Sequence, residues 1–185
     1  MNKFKIFTII TLLFLTTNTY SNDNTKSWEK DCSSSDSKNC FIRIKYKVKM
    51  PDQDKTKTFA TAYITIGSKK EKKMNLVNKE NQTYKLGEEN KPISILFINL
   101  PLNTDLRKSP LIASDKNSLG NSKFMNCNAS EGCRTMAVVN DEIIEVFKKG
   151  KSLSVTFAVF GSNENITIKF PLKGFTKAYN KLAKG

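Results

Sequence analysis

A β-sandwich is the fold class that this sequence predicts. Three observations carry the prediction. Several short segments alternate apolar and polar residues, turn residues separate them, and only two brief stretches carry helical spacing. A closed barrel is the alternative that the same pattern allows.

The first strand is the clearest. Over Cys40–Met50, Ile42, Ile44, Tyr46, Val48 and Met50 share one face, and Arg43, Lys45, Lys47 and Lys49 share the other. Strict alternation marks a half-buried strand. The cationic face discourages edge-to-edge pairing. Pro51–Lys57 reads as a polar turn. Phe59–Gly67 follows as a strand with Ala60, Ala62, Ile64 and Ile66 in phase, and the lysine cluster at 69–73 marks a hairpin tip. Met74–Lys79 and Gln82–Leu86 are weaker strand candidates. Ile93–Leu102 is nearly continuously apolar, the pattern of a strand buried on both faces, and Pro101 ends or kinks it.

Asn103–Asn121 reads as a long, polar, turn-rich connection. Phe124–Cys127 and Arg134–Val139 then flank a short loop like the arms of a hairpin. Asp141–Lys149 reads as a helix. Asn140 or Asp141 can cap it, acidic residues sit at its positive end, Lys148 and Lys149 at its negative end, and Gly150 can stop it. Ser152–Phe160 and Asn165–Leu172 alternate again. Phe175, Ala178, Tyr179 and Leu182 recur at helical spacing, so the chain closes with an amphipathic helix.

Met1–Ser21 reads as a cleaved export signal. Lys3 and Lys5 supply its positive region, Ile6–Thr17 its apolar core, and Thr19 and Ser21 the small residues before the cut. The apolar run is shorter than the ~20 residues of a membrane-spanning helix. Cys32 lies well past the cut, so the mature chain has no lipid-modified cysteine. The expected product, residues 22–185, is one domain, periplasmic or secreted, with no transmembrane segment after cleavage.

Export gives the four cysteines a reading. An even number in an exported chain favours disulfides. Three pairings are open, and proximity favours Cys32–Cys40 and Cys127–Cys133, each worth ~2.5 kcal/mol in the chain-entropy account. Zinc needs closer spacing and usually histidine, and the chain has no His. A redox pair would need Cys-x-x-Cys, which is missing.

The precursor carries a net charge of +14. Loss of two signal lysines lowers that to +12 in the mature chain. Such a surface attracts acidic partners, although lysine spread evenly also serves solubility. Arginine forks that recognise phosphate and carboxylate are few: Arg43, Arg107 and Arg134. Nucleic acid is disfavoured by export and by the lack of a recognition motif.

Catalytic groups are sparse. Without His there is no Ser-His-Asp or Cys-His pair. Ser27-x-x-Lys30 and Ser35-x-x-Lys38 match a penicillin-recognising motif but sit in a polar lead-in. Asp52-Gln53-Asp54 opens like a calcium loop but lacks the glycine and the terminal Glu. Glycosylation patterns at Asn81, Asn128 and Asn165 are inert in a bacterial export context. Trp28 reads as a core anchor. No catalytic residue, metal or cofactor is therefore assigned. The site candidates are the four cysteines and the basic face of Arg43, Lys45, Lys47 and Lys49, with an anionic envelope polymer or a protein as partner. The alternative is a carboxylate-only envelope hydrolase using Asp115 and Glu131.

Trp28-x₃-Cys32, Cys40, Leu100-Pro101-Leu102, Cys127-x₃-Glu131-Gly132-Cys133, the Gly150–Val155 strand and Leu172-Lys173-Gly174-Phe175 together resemble the invasion-associated locus B family. Asn103 stands where the family tends to have Gly, and the usual Gly-Asp before Trp28 is missing. The resemblance implies a bacterial exported, immunoglobulin-like β-sandwich, linked in pathogens to invasion of host cells. It brings no catalytic residues. A shared fold does not fix a role.

Overall fold

The structure is a computed structural model and describes residues 27–32, 40–49, 56–67 and 92–184. The export signal, the lysine cluster, the calcium-like loop and the two weaker strand candidates lie outside the described residues.

Ten strands and two helices follow in chain order. They are β1 (Glu29–Cys32), β2 (Cys40–Lys49), β3 (Thr56–Ile66), β4 (Ser94–Leu100), β5 (Leu111–Ser114), β6 (Asn117–Asn121), β7 (Lys123–Asn128), β8 (Gly132–Val139), α1 (Asp141–Lys149), β9 (Ser152–Ala158), β10 (Asn165–Pro171) and α2 (Phe175–Ala183). A six-stranded sheet runs β1-β2-β3-β4-β8-β7, and a four-stranded sheet runs β10-β9-β5-β6. All described pairings within both sheets are antiparallel.

Alternation decides which face is buried. Ile42, Ile44, Ile64, Leu96, Ile98 and Leu100 from the large sheet meet Ile112, Leu153, Val155, Phe157, Ile168 and Phe170 from the small one in a single core. Each such side chain, fully buried, stabilises by about 1.5–3 kcal/mol. The sandwich class is therefore what the periodicity predicts. In β4 the pattern is alternating rather than uniform: Leu96 and Ile98 are fully buried, whereas Ile95, Phe97 and Asn99 on the other face are only half-buried. On that outer face Phe97 lies in register between Tyr63 and Met136, and Ile95 between Thr65 and Val138, so neighbouring side chains cover both in part.

The polar connection expected over 103–121 is a correction. It contains β5 and β6, which pair with each other around a two-residue turn, while β5 also pairs with β9. Only Ile112 and Ser114 of β5 face the core, so a four-residue strand leaves little periodicity to detect. Asp115 makes the turn with φ +50°. Its carboxylate accepts from the backbone N–H of Lys151 and Ser152 and from the Ser152 hydroxyl, at 2.9–3.1 Å for the closest oxygens. It thus clamps the β5–β6 turn to the α1–β9 junction. From β6 the chain passes through the buried Ser122, whose N–H donates to the Pro110 carbonyl at 2.9 Å, directly into β7 of the other sheet.

The helices extend the second layer beside the small sheet. Asn140 caps α1 by accepting from the Ile143 N–H at 2.9 Å, and Ile144 and Phe147 are its buried residues. α2 packs on β1, β2 and β3. Phe175 sits fully buried between Trp28, Phe147 and Tyr179, with ring centroids 5.2, 5.6 and 5.7 Å away. The Trp28 indole N–H donates to the Pro171 carbonyl at 3.0 Å, and the Tyr179 and Ser94 hydroxyls meet at 2.8 Å.

Candidate functional site

With helices and small sheet layered on its inner face, the six-stranded sheet presents the opposite face outward. Cross-strand register lines up Arg43, Tyr63, Phe97 and Met136 in one row, and Lys45, Thr61, Asn99 and Arg134 in the next. Tyr63 stacks on Phe97 at 5.1 Å, and Phe41 meets the edge of Tyr63 at 5.9 Å. Neighbouring rings in register across strands stabilise a sheet.

Around these rings lies a concavity of about 560 Å³, lined by side chains that include Phe41, Arg43, Lys45, Tyr63, Asn99 and Arg134. Two guanidiniums are fixed in it. Arg134 lies 5.6 Å over the Tyr63 ring, donates its Nε–H to the Asn99 side-chain oxygen at 3.3 Å and pairs with Glu131 at 2.5 Å. Arg43 lies 5.9 Å over Phe41 and pairs with Asp31 at 2.7 Å. A cation over an aromatic face, with a carboxylate holding one edge, keeps its other N–H groups oriented. Burial pushes the Tyr63 hydroxyl pKa up, against the opposing pull of Arg134, so the phenol stays neutral and able to donate.

The β2–β3 register shifts between Tyr46 and Lys47. The extra residue is Phe59 on β3, while β2 keeps its alternation. Arg43 and Lys45 line the concavity, while Lys47 and Lys49 belong to the stretch of β2 beyond the bulge. Sequence reasoning did not place Arg134, Tyr63 and Asn99 beside that face, although all three line the concavity. Alternation could have put each on an outer face, but the strand order that brings β8 beside β4 is not written in local spacing.

The two carboxylates of the hydrolase alternative are not brought together. Asp115 lies in a turn of the small sheet and is committed to backbone N–H groups, the Lys151 N–H above all, which hold its pKa below the usual range. Glu131 lies in the β7–β8 turn of the large sheet, bound to Arg134. Among the described residues no group of three or more His, Cys, Asp or Glu could hold a metal ion.

The cysteines occupy opposite positions on paired strands. Cys32 pairs with Cys40 across β1–β2, and Cys127 with Cys133 across β7–β8. Asn128 shapes the second loop by accepting from the Ser130 and Glu131 N–H groups at 3.1 and 2.7 Å. No described helix is long and apolar enough to cross a membrane.

A two-sheet sandwich with disulfide-linked hairpins and a basic, aromatic-floored outer face is thus the class of protein that fold and site define. The chain belongs to the invasion-associated locus B family, whose model matches residues 61–183. Among solved structures it is similar to invasion-associated protein B from Bartonella henselae, at 14% identity with a TM-score of 0.57, covering 89% of this chain and 96% of that one. No curated protein matches the chain.

The geometry explains why the resembling phrases have their residues. Gly132 adopts φ +82°, and a Cβ there would lie 2.0 Å from the Leu100 carbonyl oxygen. Gly174 adopts φ +81° just before α2, and a Cβ would lie 2.8 Å from the Ser27 Cβ, beside Trp28. Only glycine meets both demands. The two phrases therefore secure the hairpin against β4 and the last helix against the lead-in to β1.

Proposed function

We propose that this protein is an exported, non-catalytic binding protein of the bacterial envelope that holds an anionic polymer on the outer face of its six-stranded sheet. One observation carries the reading. Arg43 and Arg134, each oriented by a carboxylate and an aromatic ring, flank one concavity together with Lys45. Fixed guanidinium forks recognise carboxylate and phosphate groups better than mobile lysines do. The strongly positive chain would steer such polymers inward. Two disulfides support export, and the separation of Asp115 from Glu131 supports a non-catalytic role.

The test is binding of the mature chain to purified lipopolysaccharide and to a polyuronate, at low and at physiological salt. Changing Arg43, Lys45 and Arg134 together to Gln should lower affinity at least tenfold and flatten its salt dependence. Binding that survives the triple change would dismiss this face.

A further inference from the structure

A second surface lies on the loops that follow β4 and β9, and none of its exposed apolar residues lines the concavity. After β4 the chain folds residues 101–108 against the end of β9. The Thr104 N–H and hydroxyl both donate to the Pro101 carbonyl, at 3.1 and 2.6 Å. The Asp105 N–H donates to the Ala158 carbonyl at 2.8 Å, and the Phe160 N–H to the Asn103 carbonyl at 2.7 Å. The Asp105 carboxylate is buried, and both its oxygens accept from the Arg107 guanidinium at 2.8 Å. Arg107 in turn lies 5.4 Å over the Phe160 ring.

This fixed backbone holds three large apolar side chains out: Leu102 is 56% exposed, Leu106 52% and Phe160 67%. A polar loop of this kind could bury them or omit them. Its one acid, Asp105, is neutralised by Arg107, and Lys108 follows on the same loop. Three projecting tips cover far less than the area of a stable protein interface, which buries about 800 Å² on each partner. Apolar tips beside cations suit the headgroup boundary of an anionic bilayer, which takes up each side chain separately. The chain's net positive charge supplies the long-range attraction.

We propose that Leu102, Leu106 and Phe160 form a membrane-docking tip that inserts into the surface of anionic lipid bilayers, with Lys108 at the headgroups. The protein would then be peripheral to a membrane through residues that do not line the concavity.

The probe is sedimentation of the mature chain with phosphatidylglycerol-containing vesicles and with pure phosphatidylcholine vesicles. Anionic vesicles should carry the protein down at low salt. Leu106→Asp with Phe160→Asp should lower that partitioning at least tenfold, with the melting midpoint nearly unchanged because both side chains are exposed. In a Leu102→Trp variant, the added indole should shift its emission to the blue on anionic vesicles, while the buried Trp28 serves as a constant background. Absent vesicle binding, binding untouched by the double change, or unmoved Trp emission would each overturn the proposal. The last two would mark plain charge adsorption. Self-association abolished by the double change, without vesicle binding, would assign the patch to a second copy and likewise overturn it.

Discussion

Two aromatic clusters sit on the large sheet and serve opposite ends. Behind it, Trp28, Phe147, Phe175 and Tyr179 pack edge-to-face and stacked around a fully buried Phe175, with aliphatic neighbours such as Ala178 and Leu182. In front of it, Phe41, Tyr63 and Phe97 meet in similar geometries, but two guanidiniums lie over them and a concavity opens above. The ring contacts are alike. What differs is burial. The rear rings centre on the fully buried Phe175 and hold a helix onto the sandwich, with one cation, Lys148, over the outermost ring, Tyr179; the front rings line an open concavity between two guanidiniums.

The comparison breaks if the rear cluster proves dispensable. Phe175→Ala removes a buried ring touching three others, and should cost about 3–5 kcal/mol. Chemical denaturation should show the loss, while affinity of the folded fraction for anionic polymer stays unchanged. An unaltered denaturation midpoint would mean that α2 is not held by this cluster.

Next comes the hairpin that carries Glu131 and Arg134. Gly132→Ala places a Cβ against the Leu100 carbonyl and forces a left-handed backbone on an L-residue. The backbone preference alone costs about 1–2 kcal/mol, and the close approach adds to it. Here both readouts should move: stability falls, and polymer binding weakens because Arg134 is displaced. Loss of stability with intact binding would detach the hairpin from the site.

A smaller effect is expected in front. Arg134→Gln removes a partly exposed ion pair, so stability should change by about 0–1 kcal/mol. Affinity for the polymer should drop about tenfold, equivalent to ~1.4 kcal/mol. Titration calorimetry beside a thermal melt separates the two. A large stability loss with unchanged affinity would make the front cluster structural, like the rear one.

The rear cluster was legible from sequence and the front one was not, for a physical reason. Phe175, Ala178, Tyr179 and Leu182 announce a buried helical face through spacing within nine residues; Trp28 reads only as a core anchor, and its contact with Phe175 emerges in the structure. The same legibility holds for α1, whose cap and charge distribution give its bounds, and for β2, β9 and β10. The concavity depends on which strands become neighbours. Arg43 and Lys45 were identifiable because they alternate on one strand, but Arg134 joins them only through the order β2-β3-β4-β8. That Lys47 and Lys49 do not line the concavity is equally invisible in local spacing, since β2 alternates without a break and the extra residue, Phe59, lies on β3. β5 and β6 escaped detection because strands of four and five residues with one or two inward side chains look like loop.

The smallest expected effect concerns the loop between β4 and β5, where an ion pair adds to the backbone hydrogen bonds. The Arg107 guanidinium, donating to both Asp105 oxygens, holds that carboxyl pKa down to about 2. An unfolded Asp titrates near ~3.9. A carboxyl whose pKa is depressed on folding contributes stability that is fully present above the unfolded value and is lost as pH falls through the folded one. The contribution of Asp105 should therefore be constant from neutral pH to just above 4 and decline between about 4 and 2. Asp105→Asn keeps the shape but removes the charge. Its melting midpoint should lie below that of the parent at pH 7, and the two should converge toward pH 2. A gap that persists unchanged at pH 2 would assign the loss to altered hydrogen bonding of the loop rather than to the ion pair. A gap that never opens would show that the backbone bonds from Asp105 to Ala158 and from Phe160 to Asn103 hold the loop unaided, and that electrostatics add little to either region compared with ring packing.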